Sequence, residues 1–570
     1  MISPLVALCA IIPLAQATYY NNSAEYSSGA LGASPVQSYQ SVNYTAVEFN
    51  INVYPTSESS EGYLFLAPRG TDVTTPAPLI MTNDGELVWD GTEFGFDQSM
   101  AFTTGTYQGN PVITLWDGQF NAAGYGIGYG IILDQSYKVI GNVSTTISGS
   151  GIDLHEFYLT DNDTALATVY INEEYDLTSY NVTTTDGSQG WILGGAFQEI
   201  EVATGEALFT WKSLDHVNPN LCYASPGSTG TAQSNPWDYF HINAIEKDDQ
   251  GNYLISSRHC HALYYISKDD GSILWSIGGM NSTFTMGDQT SFEWQHDARW
   301  QSNFSQISVF DNAATSWESD ETTARGLLLN IDESSKNVTL AQAYIPWNET
   351  VSRSQGSMQL QPNGNWLLGW GQTPFFSEYT SDGTLISSTQ FGVGNVQGYR
   401  VLRSNWTGYP TTSPKFTIIS NSSTTQYDLY VSWNGATEVS QWEFLGMNQT
   451  SSSSSTSLGN ITKSTFESTF SINQGDAPYQ WVQARATSSN GSVLGYSDFL
   501  AINGSGSTSA SDEEKSQVTI GTATATFTSS ASTASNTATS SSTSTSGEET
   551  RYAAGTGAVI CGILASLMLL

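Results

Sequence analysis

Three of the six histidines in this chain occupy similar places in its sequence. His155, His241 and His296 each precede or begin an apolar run typical of a strand, which a turn and a second strand follow. If such units repeat by rotation about one axis, we expect the three imidazoles to converge at one end of a central channel. A lone histidine at a strand end is more often a structural residue, so the matching positions are what favour a site.

Arg258 lies on the strand predicted to return after the turn that follows His241. We therefore expect its side chain near His241. The chain has only 17 Lys and Arg residues against 53 Asp and Glu residues, so histidines grouped around an arginine make a local positive site. Arginine holds two oxygens of a sulfate or phosphate at once, and histidine acts as a nucleophile, acid or base near neutral pH. The residues thus predict chemistry on such an oxyanion.

His259 and His261 flank Cys260 in the segment RHCHALYYI. Strand alternation predicts that both histidines point away from Arg258. A His-x-His pair also suggests a metal-dependent hydrolase, as a weaker alternative, but no nearby carboxylate completes a ligand set. We therefore predict no metal ligands and no cofactor.

Other sequence signatures narrow the chemistry further. The chain has no G-x-x-x-x-G-K-[ST] phosphate loop and no G-x-S-x-G nucleophile elbow. His216, in SLDHVNPN, is predicted to be a loop residue. A formal net charge of -36 argues against nucleic acid as a partner, because nucleic-acid binding needs a basic surface.

The elements that must position these residues are short strands separated by Gly, Asn and Asp turns, with almost no helical periodicity. A turn followed by an apolar strand recurs, and five or six such units fit between Tyr63 and Val401. This repeat predicts an all-β fold built as a β-propeller, since a two-sheet sandwich would not explain it. The clearest units are 83–91, 160–172, 204–213, 248–259, 270–279, 361–372 and 381–392.

Beyond the repeats the pattern changes. The pattern of residues 405–503 predicts about seven strands, which is typical of a fibronectin-III-like or immunoglobulin-like β-sandwich. We expect Trp433 and Trp442 in its core. We therefore predict a propeller domain over 18–404 and a sandwich domain over 405–503.

The two chain ends predict secretion and anchoring. Residues 1–17 resemble a signal peptide that closes on Ala15-Gln16-Ala17. Residues 504–550 are rich in Ser, Thr and Ala, as in an O-glycosylated stalk. The tail, 551–570, carries an apolar run without a following Lys or Arg, the pattern of a GPI-anchor signal, with a single-span helix as the alternative. The sequence thus predicts a cell-surface protein held to a membrane by a lipid anchor.

Two further features suit a secreted protein. Cys9 and Cys561 belong to the two predicted signals, which leaves Cys222 and Cys260 to form one disulfide in an oxidising compartment. Asn-x-Ser/Thr sequons recur along the chain and predict a glycoprotein of a eukaryotic secretory pathway. They include Asn43, Asn142, Asn162, Asn181, Asn281, Asn303, Asn337, Asn348, Asn405, Asn448 and Asn490.

The segment DYFHINAIEKDDQGNYLISSRHCHALYYISKDDGSILWSIGG and the following FEWQHDAR strongly resemble the arylsulfotransferase (ASST) family, in particular its eukaryotic, mainly fungal branch. The segment DLHEFYLT fits too, and the resemblance extends from about Tyr63 to Val401. It implies a six-bladed propeller that moves a sulfuryl group from a phenolic sulfate ester to another phenol, without a nucleotide sulfate donor.

The resemblance also implies roles for single residues. His296 would be the nucleophile, and His241 and Arg258 would bind the sulfuryl oxygens. His155 would be a further acid, base or binding residue. Asn243, expected to orient His241, and Arg299, of the QHDAR element, would be substrate-binding residues.

Two aromatic residues near this motif, Trp294 and Trp300, are candidates for a phenol-binding mouth, although a place in the propeller core is the more ordinary reading. The sandwich and the tail lie outside the resemblance, whereas the bacterial enzymes of the family carry an extra domain before the propeller. The alternative from another functional class is a non-catalytic surface propeller that binds carbohydrate or a protein partner.

Overall fold

The computed structural model describes residues 20–508 apart from 22, 97, 122, 185–186, 349, 422, 451–454 and 503–506. The predicted signal peptide and membrane tail, and all of the predicted stalk except the short strand Ser507–Thr508, lie outside the described residues. Among the residues described, no helix has the length and hydrophobicity needed to cross a bilayer.

The described chain is nearly all β. The first strands are β1 Tyr20–Asn21, β2 Val36–Ser38, β3 Thr45–Val47, β4 Asn50–Val53, β5 Tyr63–Arg69, β6 Leu79–Met81, β7 Leu87–Asp90, β8 Met100–Tyr107, β9 Asn110–Phe120, β10 Gly126–Leu133, β11 Val139–Val143, β12 Ile152–Leu159, β13 Thr164–Glu174, β14 Trp191–Glu201, β15 Ala207–Lys212 and β16 Trp237–Asp238. The middle strands are β17 Ile242–Lys247, β18 Tyr253–Ser257, β19 Ala262–Ile266, β20 Ile273–Gly278, β21 Thr285–Met286, β22 His296–Gln301, β23 Gln306–Asp311, β24 Arg325–Asp332, β25 Asn337–Tyr344, β26 Ser357–Leu360, β27 Trp366–Gly369, β28 Phe375–Tyr379, β29 Leu385–Gln390 and β30 Gln397–Ser404.

The last strands are β31 Lys415–Asn421, β32 Gln426–Ser432, β33 Gln441–Met447, β34 Thr456–Thr462, β35 Ser468–Asn473, β36 Trp481–Thr487, β37 Val493–Tyr496, β38 Phe499–Ala501 and β39 Ser507–Thr508. Helical segments are short: α1 spans Ala24–Ser27, and 3-10 turns span Thr92–Phe94, Thr178–Tyr180, Ser213–Asp215, Pro219–Leu221 and Gln474–Asp476.

Four-stranded antiparallel units follow one another along most of the chain and give a propeller-like architecture. β17–β20 form a sheet of their own, β22–β25 form another with β21 at its edge, and β26–β29 a third, extended by β4 and β1. A nine-stranded sheet contains two such units, β8–β11 and β12–β15, joined by the single pair Gly128↔Ile152.

The repeated sequence units correspond to the hairpins of these sheets. Segments such as 248–259 form hairpins between a first and a second strand, and segments such as 270–279 form the outer strand with the turn before it. In the first of these turns Asp248 Oδ1 accepts hydrogen bonds from the N–H groups of Gln250 and Asn252, and Gly251 supplies a φ of +91°. The Asp-Gly spacing of the sequence thus selects the turns.

Another unit joins distant parts of the chain. β30 pairs antiparallel with β5, with Leu402 opposite Phe65, and β5 continues through β6 to β7. The strand that precedes the C-terminal sheets therefore completes the sheet started by the first long strand.

The first strands of five units contain a β-bulge near their beginning, where the pairing with the neighbouring strand shifts register. A bulge bends the strand and changes where its side chains point. Successive residues such as His155 and Glu156 are consequently both buried, at 2% exposure each, although strict alternation would separate them. The register shifts lie at Met100/Thr103, Ile152/Phe157, Ile242/Ala244, His296/Arg299 and Gly398/Val401.

Hydrophobic clusters fill the space between successive units. One cluster joins Leu263 and Ile277 of the β17–β20 sheet to Val309 and Leu327 of the next sheet. Trp300 belongs to this cluster, which places it in the core rather than at a phenol-binding mouth.

The C-terminal strands form two sheets, β31-β32-β35 and β34-β33-β36-β38-β39, the latter with β37 at its edge. Both contribute to one hydrophobic cluster, in which Phe470 of the first sheet stacks on Phe444 of the second with ring centroids 5.0 Å apart. The cluster includes the buried Trp433 and Trp442.

Candidate active site at the histidine cluster

The structure brings together the three histidines that occupy matching places in the sequence. The rings of His155 and His241 meet edge to face, with centroids 4.7 Å apart. Tyr399 of β30 contacts both His155, at 5.8 Å, and His296, at 6.5 Å. All three imidazoles are buried, and they lie together in one cluster as their matching places in the sequence suggest.

Arg258 joins the same cluster because of the hairpin that precedes it. β17 and β18 pair antiparallel, so the chain returns to its starting point, and the N–H of Arg258 donates to the carbonyl oxygen of His241 at 2.9 Å. The guanidinium donates through Nη2 to the carbonyl oxygen of Arg353 at 2.9 Å. Its Nε is buried and has no hydrogen-bond partner among the described residues. A buried cationic donor without a partner is suited to receive an anion.

Carboxylates fix the orientation of two of the imidazoles. Asp153 Oδ2 lies 2.6 Å from Nδ1 of His155, and Asp238 Oδ2 lies 2.6 Å from Nδ1 of His241. A carboxylate at this distance keeps a proton on Nδ1 and leaves the lone pair on Nε2. Each pair is therefore arranged so that Nε2 can accept a proton while the carboxylate stabilises the imidazolium that forms.

Burial opposes charge on both members of the second pair. It raises the pKa of Asp238, against the effect of the neighbouring His259 and His155, and lowers the pKa of His241 well below 6.5. In the free protein His241 is accordingly neutral near pH 7. An anion bound beside it would favour the imidazolium.

His296 is held by an amide instead of a carboxylate. Asn312 donates through Nδ2 to the carbonyl oxygens of Ser352 and Gln355, at 2.9 Å each, so its Oδ1 is the acceptor that faces Nδ1 of His296 at 2.6 Å. Nδ1 of His296 therefore carries the proton. Nε2 has the lone pair and accepts a long 3.2 Å hydrogen bond from the N–H of Gln355.

The surroundings of His296 keep its imidazole neutral. Burial lowers its pKa well below 6.5, and the positive charge of Arg258 acts in the same direction. A neutral ring with a fixed tautomer presents a nucleophilic lone pair at neutral pH, without competition from a proton.

The sequence expectation for His259 is wrong. Residues 258–261 form the turn between β18 and β19 rather than a strand, so alternation does not apply and His259 lies beside Arg258. Its Nδ1 faces the carbonyl oxygen of Asp238 at 2.8 Å, and its Nε2 faces Nη1 of Arg258 at 3.1 Å. Because a carbonyl only accepts and a guanidinium only donates, His259 is neutral, protonated on Nδ1, and orients Arg258.

A carboxylate does lie near this histidine, contrary to the expectation that none completes a ligand set. The potential ligand atoms of Asp238, His241 and His259 all lie within 4.8 Å of one another. Oδ2 of Asp238, Nδ1 of His241 and both ring nitrogens of His259 already have hydrogen-bond partners, and Arg258 places a positive charge beside His259. The group therefore serves better as a hydrogen-bond network than as a cation site.

The two residues expected to contact substrate alongside the histidines have other partners. Asn243 donates through Nδ2 to the carbonyl oxygen of Gln295 at 2.7 Å, and it is Asp238, not Asn243, that orients His241. Arg299 pairs with Glu156 and, at 2.9 Å, with Asp297. These carboxylates neutralise the charge of Arg299, and a substrate contact by this residue stays a prediction.

The ion pairs of Arg299 belong to a group of buried charges, which we call the charge layer, and several of its residues directly follow a residue of the histidine cluster in the sequence. Glu156 follows His155, Asp297 follows His296 and Arg400 follows Tyr399, as the bulges allow. Arg400 pairs with Glu156 at 2.8 Å. Burial alone would raise the pKa of Glu156, but Arg299 and Arg400 hold it below its ordinary value. The layer is thus a closed set of opposite charges inside the fold.

A disulfide fixes the turn that carries Arg258 and His259. The structure joins Cys222 to Cys260, and the N–H of Tyr223 donates to the carbonyl oxygen of His259 at 2.8 Å. The turn is consequently attached both covalently and by a hydrogen bond to the loop that precedes Asp238.

Sequence reasoning missed the partners of the histidines. Asp153 precedes His155 by two residues in the segment DLH, and Asp238 precedes His241 by three in DYFH. These short spacings could have been recognised in the sequence. Asn312 follows His296 by 16 positions, directly after the paired strand β23, the same hairpin relation that brings Arg258 to His241, and this signal was missed too; Gln355 is 59 positions away, so no local spacing marks it.

The family model for arylsulfotransferase (ASST) matches residues 105–392, just over half of the chain and a range that contains all of these histidines and Arg258. The chain belongs to the arylsulfotransferase family. Membership indicates arylsulfotransferase-like activity and phenolic substrates in general. No curated protein matches this arylsulfotransferase-family chain.

Solved structures similar to this arylsulfotransferase-family chain have low sequence identity. A Bacteroides caccae protein of unknown function is 12% identical, with a TM-score of 0.34, and the match covers 60% of this chain and 98% of that one. A Lactobacillus plantarum protein is 10% identical, with a TM-score of 0.32 and coverages of 72% and 100%. Sqt1 of Saccharomyces cerevisiae is 11% identical, with a TM-score of 0.29 and coverages of 66% and 79%.

Proposed function

We propose that this protein is an extracellular arylsulfotransferase that moves a sulfuryl group between phenolic compounds through a covalent intermediate on His296. The proposal rests on the imidazole of His296, which Asn312 orients and which burial and the charge of Arg258 keep neutral by lowering its pKa. The Nε of Arg258, which has no hydrogen-bond partner among the described residues, supplies a donor for the sulfuryl oxygens. No nucleotide sulfate donor takes part.

In the first half-reaction Nε2 of His296 releases its long contact with Gln355 and attacks the sulfur of an aryl sulfate. The N–S bond forms as the S–O bond to the aryl group breaks, and the phenolate leaves. His155, which begins the cycle as an imidazolium stabilised by Asp153, gives its Nε2 proton to that phenolate and is left neutral until the second half-reaction. In the second half-reaction His155 removes the proton of an acceptor phenol, whose oxygen takes the sulfuryl group and frees His296. Because the transfer proceeds in two steps through a covalent intermediate, we expect ping-pong kinetics.

Arg258 and His241 bind the sulfuryl oxygens in both steps. Burial lowers the pKa of Arg258 to about 10, so its guanidinium remains charged at neutral pH. The bound sulfate is an anion, and with Asp238 behind the ring it favours protonation of His241, which then donates through Nε2. Fixed donors of this kind stabilise the negative charge that grows on the oxygens in the transition state.

The test is transfer of sulfate from a chromogenic aryl sulfate to a phenol by the purified protein. We expect wild-type turnover and a loss of at least roughly a thousandfold in His296→Ala, the scale on which removal of a nucleophile acts. His216→Ala is the matched control, because His216 stacks on Trp211 outside the cluster. Rapid quenching followed by mass spectrometry of the His296 peptide should find one added SO3 group.

Equal turnover by wild type and His296→Ala would overturn the nucleophile assignment. Absence of turnover across a panel of aryl sulfates would favour the alternative, a non-catalytic surface propeller that binds carbohydrate or a protein partner.

The architecture we propose around this site is a six-bladed propeller over 18–404, followed by a fibronectin-III-like or immunoglobulin-like sandwich over 405–503. The successive four-stranded units, with β30 completing the unit of β5–β7, support the first part. The cluster shared by the two C-terminal sheets supports the second.

We also propose that the protein is a glycosylated cell-surface protein of the eukaryotic, mainly fungal branch, held by a lipid anchor behind a stalk. The asparagines of the sequons named above are exposed, as glycosylation requires. Release from cells by a phosphatidylinositol-specific phospholipase, with a mass decrease on deglycosylation, tests both parts. Retention in the membrane after the phospholipase would instead indicate a spanning helix.

A further inference from the structure

One tryptophan beside the histidine cluster is unusually exposed for its size. Trp317 has 57% of its surface exposed, and it lies in the loop between β23 and β24. Its ring meets Trp294 edge to face at 5.7 Å and approaches His259 at 6.3 Å. Large aromatic surface held in water next to a buried polar cluster commonly marks a ligand site.

A second half-exposed ring continues this surface. Tyr223 has 46% of its surface exposed and stacks on His261, with ring centroids 4.2 Å apart and planes 9° apart. His261 in turn meets Trp294 edge to face at 4.4 Å. Tyr223, His261, Trp294 and Trp317 thus form one continuous set of rings, which we call the aromatic wall.

The aromatic wall adjoins the group that would hold the sulfuryl oxygens. The Arg258 guanidinium lies over Trp294, 5.4 Å from the ring centroid. His259, which contacts Arg258, meets Trp294 at 5.8 Å and Trp317 at 6.3 Å. Trp317 is therefore separated from the arginine by a single ring, that of Trp294 or of His259.

The wall also contains an unused polar atom. Nε2 of His261 is buried and has no hydrogen-bond partner among the residues described. Burial, with a smaller effect of Arg258, lowers the pKa of His261 to about 3, so the ring is neutral. An unpartnered buried imidazole nitrogen points to a ligand that brings a hydrogen-bonding group, such as a phenolic hydroxyl.

Three separate segments fix the wall in place. The disulfide of Cys222 with Cys260 sets Tyr223 beside His261. Trp294 donates through Nε1 to Asp320 Oδ2 at 2.8 Å, which ties it to the loop of Trp317. His261 and Trp294 have left-handed backbones, with φ of +52° and +56°. Strained positions held by their surroundings are typical of ligand sites.

From these observations we propose that the aromatic wall is the binding surface for the aryl ring of the phenol, and that Trp317 determines which acceptors the enzyme prefers. The inference rests on the proposed transferase function. Stacking on Trp317 favours planar aromatic rings and rewards larger ones, so the preferred substrates are multi-ring phenols rather than aliphatic alcohols.

The test compares two acceptors, phenol and 2-naphthol, at saturating aryl sulfate donor. Trp317→Ala is expected to raise the acceptor KM for 2-naphthol about tenfold and that for phenol less, with kcat retained, since loss of one aromatic contact has about this effect. Trp317→Phe should restore most of the affinity. The control is Tyr129→Ala, which removes a comparably exposed ring (52%) on β10.

Calorimetric titration of 2-naphthol into the full chain without donor separates this inference from the transferase proposal. Weaker 2-naphthol binding by Trp317→Ala than by wild type supports the wall even if no transfer occurs. Unchanged KM and unchanged binding in Trp317→Ala, with transfer intact, would overturn the wall and leave the transferase function standing. Equal losses in Tyr129→Ala would overturn it as well.

Discussion

Asp238 contacts two histidines at once, through its carboxylate to Nδ1 of His241 at 2.6 Å and through its carbonyl oxygen to Nδ1 of His259 at 2.8 Å. One residue thereby fixes the tautomers of both rings. Since His259 in turn accepts from Arg258, the orientation of the arginine also depends on Asp238. Substitutions along this chain of contacts should have separable effects.

Replacement of the carboxylate alone tests the first contact. Asp238→Asn keeps the shape and the backbone carbonyl but removes the charge that supports a protonated His241. We expect kcat to fall about 100-fold, as when a carboxylate behind a functional histidine is lost, with little change in thermal stability. Asp215→Asn, at an exposed position, is the control. Full activity in Asp238→Asn would rule out a role for the pair.

His259 is expected to act through Arg258 rather than on the substrate. His259→Ala removes the acceptor at Nη1, so binding of inorganic sulfate and the KM for an aryl sulfate should weaken by roughly tenfold, the worth of about one charged hydrogen bond. His259→Gln, which retains an acceptor, should recover part of the loss. Calorimetry with sulfate measures this without turnover, and His216→Ala is the control. Identical sulfate affinity in His259→Ala and wild type would refute the positioning role.

The neutral state of His296 sets a pH dependence. Its pKa lies well below 6.5, so the nucleophile is lost only when the pH falls through that lowered value, and rising pH does not remove it. A donor with a nitrophenolate leaving group needs no acid in the first half-reaction. Its burst rate should therefore stay constant from pH 7 down past 6.5 and decline only at lower pH. Stopped-flow absorbance measures the burst, and a decline centred at or above pH 6.5 would contradict the assignment.

The disulfide is expected to matter for both stability and activity. Cys222 and Cys260 are separated by 38 positions, and closing a loop of that size contributes about 3 to 4 kcal/mol to the free energy of unfolding. Reduction should lower the melting temperature and weaken sulfate binding, because the turn bearing Arg258 loses its covalent attachment. The double variant Cys222→Ser with Cys260→Ser should be insensitive to the reductant. A wild-type protein whose sulfate affinity is the same before and after verified reduction would contradict this coupling.

Glu156 should prove structural. Glu156→Gln leaves Arg299 and Arg400 short of a compensating charge inside the fold, which destabilises by about 3 kcal/mol or more for a buried pair. Glu443→Gln breaks the more exposed pair with Arg485 and should cost less than about 1 kcal/mol. Denaturant unfolding compares the two variants. Equal effects would mean that the charge layer is not tightly coupled.

Much of the fold followed from local patterns in the sequence. The Asp-Gly turns and the apolar runs after them predicted the hairpins, because a turn residue and its strand are close in sequence. Family membership, indicated by the histidine and arginine motifs, is confirmed by the match over 105–392. The location at a membrane surface stays a prediction.

The details of the site were less accessible, for physical reasons. Alternation along a strand misplaced His259, since the strand ends one residue before Arg258. The ion pairs of Arg299 with Glu156 and Asp297 were not predicted, because the register shifts beside these residues leave no simple mark in the sequence. The contact of Gln355, just before β26, with His296 of β22 joins residues 59 positions apart at different sheets and depends on the assembled fold. Contacts within a hairpin can be predicted from local spacing in the sequence. Contacts between residues far apart in the sequence depend on the assembled fold and could not be predicted.

The pairing of β30 with β5 also has a consequence for how the chain is made. A ribosome adds about 5 to 20 residues per second, so roughly 15 seconds to a minute separates the appearance of Tyr63–Arg69 from that of Gln397–Ser404. Throughout that interval β5 has one edge without its final partner, and an open strand edge invites pairing with other chains. The open edge of β5 is therefore an aggregation hazard during synthesis, and the hazard ends only when Gln397–Ser404 has emerged.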